Sequence, residues 1–431
     1  MTAAVTLLAL AACSVDHVTQ APTADEPSAS AQPSASATAG APASAAPSPS
    51  PSPLILAQGL GGGSLSAARA AIPGKEPALY SGDGPPAFGV QFHGTWNIYY
   101  SPASSDRPNA MFYRHLDVLA KYGVRLLRVD IGWSASQPDP GTPSLGNTYT
   151  QRIDTVLNAA GKRGMRVLIT VHQSPAWSRP GTGSRVKQYP ADPDSIAPWM
   201  RWLGRTFGSR VEAWEIWNEP NLEEFTAVSN AADRPARYVP LLRAASAGLR
   251  EGDPSAVVVF GAPAQTDDRF IAACYALGAK PYFDVMAVHP YQGDQTKPPE
   301  AEDITGKSRM TNFPAVIAAM AAHGDATKPV WWTEFGFSVH SNDGVGGARW
   351  LRGVATPETS GDYIKRAFEL ARVRYPQVRV AVVYAAYNAP EGPSDHKYGY
   401  RLLDAAGDDR GQLSILSSYF SQFKTERPML P

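Results

Sequence analysis

The residues most capable of chemistry in this sequence are two glutamates, each at the end of an apolar, aromatic stretch. The first stretch, residues 211–221, reads Val-Glu-Ala-Trp-Glu-Ile-Trp-Asn-Glu-Pro-Asn. Alternate residues of a β-strand share a face, so this pattern puts Glu215, Trp217 and Glu219 on the same face. Pro220 has no N–H and cannot continue a central strand, and we therefore predict that the strand ends at Glu219.

The second glutamate, Glu334, ends the stretch Val-Trp-Trp-Thr-Glu at 330–334, where alternation puts Val330, Trp332 and Glu334 on one face. A glutamate at the last position of a strand is where an α/β barrel carries its catalytic groups. Two such carboxyls facing each other can cleave a glycosidic bond. One donates a proton to the leaving oxygen, while the other attacks the anomeric carbon or activates water. A single strand-end glutamate could equally be a solvated charge, so the prediction depends on the pair.

Together, the two stretches resemble clan A of the glycoside hydrolases, the retaining enzymes with a (β/α)8 barrel. In that clan an Asn-Glu-Pro ends strand 4 and carries the acid/base, and a second Glu ends strand 7 as the nucleophile. Trp-Asn-Glu-Pro-Asn at 217–221 and Thr-Glu-Phe-Gly at 333–336 look most like families 39 and 5. The resemblance covers residues 86–425. It implies that Glu219 is the acid/base and Glu334 the nucleophile of a β-glycosidase.

The rest of the chain supplies the elements that would position these glutamates. From Phe88 onward, short apolar runs alternate with amphipathic stretches, which is the pattern of repeated strand–helix units. Strands are predicted at 88–92, 125–131, 166–171, 211–219, 256–260, 283–288, 330–334 and 378–384. Helices are predicted at 112–122, 151–162, 195–207, 235–250, 268–277, 314–323, 358–375 and 413–423. A helix after each strand indicates a (β/α)8 TIM barrel, independently of the two glutamate motifs.

Polar and aromatic side chains gather just after the predicted strands. Because the carboxyl ends of parallel barrel strands share one rim, we expect these side chains to lie near Glu219 and Glu334. The candidates for substrate binding are His93, Arg128, His172, Trp177, Asn218, His289, Tyr291 and Tyr384.

The resemblance implies roles for three of these candidates. Arg128 matches the strand-2 arginine of the clan, which hydrogen-bonds the nucleophile and favours its charged form; alternatively, it could pair with Glu215 inside the barrel. Asn218 matches the Asn that binds the sugar 2-hydroxyl. Tyr291 resembles the strand-6 tyrosine that contacts the nucleophile.

The remaining candidates keep two interpretations each. His93, His172 and His289 could contact the substrate or could be satisfied histidines at strand ends. Trp177, like Trp133, could be a platform on which a sugar ring stacks or could pack within the rim.

One feature departs from the clan. Many members place a Trp at the end of strand 8, under the reactive sugar, whereas residues 382–388 here read Val-Val-Tyr-Ala-Ala-Tyr-Asn. Either Tyr384 or Tyr387 takes the place of that Trp, or the floor of this subsite differs. The departure bears on the substrate more than on the chemistry.

The N-terminal region has a different composition from the rest. An apolar run at 5–12, too short to span a bilayer, leads into Leu-Ala-Ala-Cys-Ser at 10–14. This resembles the lipobox of bacterial lipoproteins and implies a signal segment, 1–13, with lipidation at Cys13, although no Lys or Arg precedes the apolar run. Residues 14–53, largely Ala, Ser and Pro, predict a disordered linker, and 54–85 form an approach to the barrel. We therefore expect a barrel at the outer face of the bacterial membrane, or secreted.

Composition and spacing bear on other classes of function. Lys+Arg and Asp+Glu number 39 each, which gives no electrostatic footprint for nucleic acid. The eight histidines are dispersed and the only cysteines are Cys13 and Cys274, so we expect no metal site and no cofactor. The expected partner is an oligo- or polysaccharide, bound by a monomer. The main alternative is a non-catalytic carbohydrate-binding lipoprotein on the same barrel, which would not need both glutamates.

Overall fold

The structure is a computed structural model that describes residues 83–95, 99–100, 107–181, 186–304, 306–340, 352–388 and 396–430. The predictions for the signal segment, Cys13 and the linker lie outside these residues, as does the approach segment except for residues 83–85. No helix within these ranges is long and apolar enough to cross a membrane.

Eight parallel strands form one sheet that curls into a barrel, which confirms the predicted fold. The strands are β1 Ala87–Gln91, β2 Leu126–Gly132, β3 Arg166–His172, β4 Ala213–Ile216, β5 Val258–Phe260, β6 Met286–Val288, β7 Val330–Phe335 and β8 Val378–Val383. Their order in the sheet is β5-β4-β3-β2-β1-β8-β7-β6. The ends of this order meet at a parallel bridge between Val259 and Val285, where the N–H of Phe260 donates to the carbonyl of Val285 at 2.9 Å.

A long helix follows each strand, as the alternating pattern predicts. These helices are α1 Ala110–Lys121, α2 Thr148–Gly161, α3 Ala197–Phe207, α4 Arg234–Gly252, α5 Asp268–Ala276, α6 Phe313–Ala321, α7 Pro357–Arg374 and α8 Gln412–Phe420. Side-chain caps fix several starts. Asn109, for example, accepts from the N–H of Phe112, and Asn147 from the N–H groups of Tyr149 and Thr150. The helices cover the outside of the barrel and bury the outward-facing residues of the strands.

The barrel interior changes character along its axis. Near the amino ends of the strands it is filled by apolar side chains such as Leu126, Leu168 and Trp331. One layer higher, Arg128 and Glu215 are fully buried. The apolar layer closes one end of the barrel, so the polar groups are confined to the end that carries the loops after the strands.

Two strands depart from the alternation that the sequence predicts. β4 ends at Ile216 rather than at Glu219, and the ring of Trp217 packs in the outer core instead of sharing the interior face with Glu215. In β7, Val330 and Trp332 also pack in the outer core, so they do not share a face with Glu334. The prediction of one continuous face was therefore wrong for both stretches.

Candidate active site

Glu219 reaches the barrel axis through a tight backbone turn after β4. Trp217 and Glu219 both have left-handed backbone conformations, with φ of 75° and 43°. The N–H of Glu219 donates to the carbonyl of Ala262 at 3.0 Å, and its own carbonyl accepts from the N–H of Leu222 at 2.9 Å. Such conformations are uncommon for non-glycine residues and persist only where neighbouring contacts hold them. The turn thus redirects Glu219 inward after the strand has ended.

The outward position of Trp217 anchors this turn from behind. Its indole N–H donates to the carbonyl of Phe225 at 2.7 Å, and its ring centroid lies 5.0 Å from that of Tyr189. With Trp217 held outward, Asn218 lies on the inner side, where its Oδ1 accepts from Arg128.

Glu334 reaches the axis by a different irregularity, a register shift within β7. The pairing of β7 with β8 is interrupted between Trp332 and Phe335. Thr333 donates inward to Glu215 at 2.7 Å, and the next residue, Glu334, also faces inward and accepts from Arg128. Two consecutive inward residues are what a β-bulge produces.

Arg128, at the centre of β2, joins the two glutamate stretches. Its Nε donates to Oε2 of Glu215 at 2.7 Å, and its Nη2 donates to Oδ1 of Asn218 at 2.8 Å. Its Nη1 donates to Oε1 of Gln91 at 2.8 Å and to Oε1 of Glu334. Both alternatives from the sequence are therefore present, because the guanidinium pairs with Glu215 and with Glu334 at once.

Residues from the loop after β6 lie between the two glutamates. Nδ1 of His289 is 3.1 Å from Oε1 of Glu219 and 4.0 Å from Oε2 of Glu334. Because both distances are measured from the same nitrogen, the two carboxyl oxygens lie at most about 7.1 Å apart. Tyr291 donates its O–H to the same Oε2 of Glu334 at 3.2 Å. Both carboxyls therefore face a common space.

Burial and charge favour the neutral forms of Glu219 and His289. Burial raises the pKa of Glu219 well above its usual range, and the negative charge of Glu334 raises it further. Burial lowers the pKa of His289 well below its usual range, and the positive charge of Arg128 adds to this effect. These shifts favour the protonated carboxyl of Glu219 and the uncharged imidazole of His289.

On the other side of Arg128, a row of polar side chains leads from β1 to β8. Gln91 donates to Oδ2 of Asp130 at 2.6 Å. Nδ1 of His93 is 3.5 Å from the same oxygen, and its Nε2 is 3.4 Å from the hydroxyl of Tyr384. Burial alone would raise the pKa of Asp130, but Arg128 and His93 lower it well below its usual range. A carboxylate and a phenol are therefore held at the rim, where both can bind hydroxyl groups.

Four buried polar atoms of this rim have no hydrogen-bond partner among the described residues. They are Nδ2 of Asn218, Oε2 of Glu219, Nε2 of His289 and Nδ1 of His172. Burial, more than its charged neighbours, lowers the pKa of His172 to about 4, so its ring is neutral at pH 7. Buried polar groups are normally paired, and a donor amide, a carboxyl oxygen and two imidazoles together suit a ligand rich in hydroxyl groups.

The aromatic candidates differ in their surroundings. Trp133 is fully buried and stacks on Trp199, so it packs as core. Trp177 is partly exposed, donates to the carbonyl of Gln137 at 3.2 Å and meets Trp133 edge-on. These contacts place Trp177 on the rim between the loops after β2 and β3, and a role in sugar stacking stays a prediction.

Of the two tyrosines after β8, Tyr384 lies nearer the site. Its ring contacts those of His93 and Tyr400. Tyr387 instead packs against Tyr99, with ring centroids 4.4 Å apart. Of the two, Tyr384 is therefore the one that contacts the polar groups of the site, and its replacement of the strand-8 Trp stays a prediction.

Gln91, Thr170 and Thr333 take part in this network without having been singled out from the sequence. Thr170 and Thr333 donate to the two oxygens of Glu215 at 2.6 and 2.7 Å, which keeps that buried carboxylate fully paired. Gln91 pairs with Arg128 and Thr170 pairs with Asp130 in the sheet, so both side chains point into the barrel. The alternation of inward and outward residues along each strand could have indicated this from the sequence. No three His, Cys, Asp or Glu side chains of the described ranges are grouped so that they could hold a metal ion.

Solved structures with a similar fold are numerous and distant in sequence. A family 39 glycoside hydrolase from Bacteroides cellulosilyticus WH2 superposes with a TM-score of 0.58 at 18% identity, over 80% of this chain and 65% of that one. An exo-beta-1,4-mannosidase from Opitutaceae bacterium strain TAV5 superposes with a TM-score of 0.56 at 17% identity, over 80% of this chain and 61% of that one. A GH5_18 protein from Streptomyces cattleya in complex with GlcNAc superposes with a TM-score of 0.57 at 16% identity, over 82% of this chain and 83% of that one. The chain thus spans less than two thirds of the first two structures.

Sequence comparison identifies the family. No significant match to this chain was found among curated proteins. The family described as Cellulase (glycosyl hydrolase family 5) matches residues 90–360, which include β2 to β7 and both glutamates. The match spans more than half of the chain, and the protein therefore belongs to glycosyl hydrolase family 5.

Proposed function

We propose that this protein is a retaining glycosidase that hydrolyses β-glycosidic bonds in an extracellular oligo- or polysaccharide. The arrangement of Glu219 and Glu334 around His289 carries this proposal. Retaining enzymes need carboxyls about 5–5.5 Å apart, and inverting enzymes need about 6.5–9.5 Å to admit a water molecule. The facing oxygens lie at most about 7.1 Å apart, which supports the shorter, retaining separation over the upper part of the inverting range.

In the first step, the carboxylate of Glu334 attacks the anomeric carbon while the bond to the leaving oxygen breaks. Glu219 gives its proton to that oxygen, so the leaving group departs as an alcohol and the sugar remains as an ester of Glu334. The ionised form of Glu334 is favoured by hydrogen bonds from Arg128 and Tyr291. In this proposal His289 is the Nδ1–H tautomer and donates to Oε1 of Glu219, which leaves Oε2 to carry the transferable proton.

In the second step, Glu219 acts as a base. It removes a proton from water as the water oxygen attacks the anomeric carbon and the ester bond to Glu334 breaks. Both carboxyls return to their starting states, and the sugar keeps its original anomeric configuration. The unpaired Nδ2 of Asn218 is positioned to donate to the hydroxyl next to the reacting carbon.

The substrate's location is part of the proposal and rests on the sequence. The apolar run before Cys13 and the linker at 14–53 support a lipid-anchored protein at the outer face of the cell membrane, where a polymer is the accessible substrate. His93, His172, Tyr384 and Trp177 are proposed to bind sugar residues of this polymer.

The test compares wild type with Glu334→Gln on a panel of β-linked oligosaccharides and exopolysaccharides. We expect wild type to cleave at least one substrate and the variant to lose about 1,000-fold or more in kcat. Proton NMR recorded during the reaction should show that the sugar is released first as the β anomer.

Other outcomes would contradict the proposal in distinguishable ways. Equal turnover by wild type and variant would remove Glu334 as nucleophile. An α product would show inversion. Binding without cleavage on every substrate would favour a non-catalytic carbohydrate-binding protein.

A further inference from the structure

An ion pair beside the acid/base has no role in the mechanism so far. Nζ of Lys187, in the loop after β3, lies 2.8 Å from Oε1 of Glu224. Lys187 is only 5% exposed, whereas the side chain of Glu224 is 36% exposed. The ammonium also lies 4.7 Å from the ring centroid of Phe225. A lysine buried this deeply is unusual, because removing its charge from water is unfavourable without a specific partner.

Both members of the pair are attached to the turn that carries Glu219. Glu224 belongs to the short helix Glu223–Thr226, whose Phe225 carbonyl accepts from the indole of Trp217. From the other side, the hydroxyl of Tyr189 donates to the carbonyl of Pro220 at 3.5 Å.

Tyr189 also ties the loop to the end of the same helix, because its N–H donates to the carbonyl of Thr226 at 3.4 Å. These contacts connect the segments that carry Lys187 and Glu224 to the residues on each side of Glu219.

We propose that the Lys187–Glu224 ion pair sets how tightly Glu219 holds its proton, and thereby the upper pH limit of glycosidic bond cleavage. This inference rests on the proposed function, because it concerns Glu219 as the acid/base. Lys187 and Glu224 are positioning residues in this proposal and need not touch the substrate.

The charges around Glu219 support this assignment. Among the described residues, the charged or titratable groups that act on Glu219 include Glu334 of β7, Arg128 of β2, His289 after β6, and Glu224 and Lys187 of the ion pair. After burial and Glu334, the negative charge of Glu224 raises the pKa of Glu219, and the positive charge of Lys187 lowers it. In the intact pair the two effects oppose each other.

Removing one member removes one of the two opposing effects on Glu219, so the two deletions have opposite consequences. Without Glu224, the remaining cation makes proton release from Glu219 easier. Without Lys187, the remaining anion makes proton release harder. A merely structural pair would instead lower stability in both variants and leave the titration of Glu219 in place.

The test is the pH dependence of kcat/KM for Glu224→Gln and Lys187→Met in the full chain. The substrates are an alkyl glycoside and a 4-nitrophenyl glycoside of the sugar that the panel identifies. The alkaline limb should move down by about half a pH unit or more in Glu224→Gln and up in Lys187→Met. The acid limb should stay in place. The effect on rate should be larger for the alkyl glycoside, which depends more on proton donation.

Glu223→Gln is the matched control, because Glu223 is the preceding residue of the same short helix and its carboxylate accepts from the hydroxyl of Ser229. Its profile should overlay that of wild type. Glu224 is partly exposed, so Glu224→Gln remains informative if Lys187→Met fails to fold. An unchanged alkaline limb in Glu224→Gln, or the same shift in Glu223→Gln, would overturn the inference. Inactive wild type would instead contradict the proposed function itself.

Discussion

Arg128 is a single guanidinium that binds the buried carboxylate of Glu215 and that of Glu334, the proposed nucleophile. A planar fork can serve Glu215, Glu334 and Asn218 at once, whereas an ammonium is a point charge that cannot reach all three. We predict that Arg128→Lys lowers kcat/KM at least about 100-fold, because Glu334 and Asn218 lose their fixed positions. Stability should also fall, by about 2–4 kcal/mol, because a buried carboxylate loses its partner.

A matched variant separates these two effects. Thr170→Val removes only one hydrogen bond to Glu215 and leaves Arg128 in place. It should lower the free energy of unfolding by about 1 kcal/mol while leaving kcat/KM within a few-fold of wild type. Urea denaturation and steady-state kinetics measure the two quantities. If Thr170→Val were as inactive as Arg128→Lys, the activity loss would come from the buried network rather than from the arginine.

The charge of Glu334 contributes to the proton affinity of Glu219, which gives a second prediction. Burial raises the pKa of Glu219, and Glu334 is the next largest cause. In Glu334→Gln the neighbouring negative charge is absent, so the pKa of Glu219 should fall while remaining above the ordinary value of a glutamate. Carbon-13 NMR of side-chain-labelled glutamate in wild type and variant follows this titration. An unchanged pKa would show that burial alone holds the proton.

The types of the site residues could be predicted from the sequence, but their contacts could not. Asn-Glu-Pro and Thr-Glu-Phe-Gly single out Glu219 and Glu334, and strand parity places Arg128 inside the barrel. That Arg128 binds Glu215 and Glu334 together depends on how β2, β4 and β7 face one another, and no single stretch of sequence contains this information.

At the scale of elements, both glutamates reach the barrel axis where a strand becomes irregular. If β4 continued regularly, Asn218 would point away from the axis, because Glu215, three residues earlier, points inward. If β7 were regular, Glu334 would point away from the axis, because the preceding residue, Thr333, points inward. The left-handed turn at Trp217 and the register shift in β7 correct this. Alternation of residue types cannot reveal either irregularity, since each is held by contacts from neighbouring elements.

Gly261, directly after β5, packs against the turn that carries Glu219, and this contact gives a third prediction. A Cβ at this position would lie 2.1 Å from the carbonyl oxygen of Ile216 and 3.0 Å from that of Trp217. Its N–H donates to the hydroxyl of Tyr238, which in turn donates to Ile216. Gly261→Ala should therefore push the turn that carries Glu219 and lower both kcat and stability, the latter by about 2 kcal/mol or more.

Gly161, at the end of α2, provides the control. A Cβ there meets nothing within 4 Å, so Gly161→Ala should keep full activity and gain up to about 1 kcal/mol from helix propensity. Thermal unfolding and kcat of both variants test the pair. Wild-type kinetics in Gly261→Ala would show that the turn can move without disturbing Glu219.

At the scale of the whole molecule, the proposed catalytic site and the closed end of the barrel lie at opposite ends of the strands. The amino ends of the strands are covered by the C-terminal segment, Glu426–Leu430, which lies beyond the predicted boundary at 425. Arg427 donates to the carbonyls of Gly84, Arg372, Tyr375 and Val378. The carbonyl of Met429 accepts from the indole of Trp331 at 3.0 Å, and Met429 and Leu430 pack on the apolar interior layer.

The repeated strand–helix pattern made the barrel predictable, because each unit carries its own apolar periodicity. The closing segment could not be predicted in the same way. It has no regular secondary structure, and its main interactions are hydrogen bonds from one arginine side chain to backbone carbonyls far away in sequence. A contact of this kind leaves no periodic signal.

Glu426, in this closing segment, gives a prediction that concerns stability alone. Burial raises its pKa to about 7 in the folded protein, although Arg125, 3.6 Å away, lowers it in part. The folded protein therefore binds this proton more tightly than the unfolded chain does. Stability is greatest below the unfolded pKa of about 4.5 and falls as pH rises through about 7.

Glu426→Gln removes this dependence, because the side chain stays neutral at every pH. The variant should match wild type near pH 4.5 and exceed it at pH 8 by up to about 3 kcal/mol, while kcat is unchanged at the distant rim. Urea denaturation at the two pH values measures the difference. Glu251→Gln, which breaks the exposed pair with Arg201, should show no such pH-dependent gain. A variant less stable than wild type at pH 8 would mean that attraction to Arg125 outweighs burial, so that the ionised carboxylate stabilises this end of the barrel.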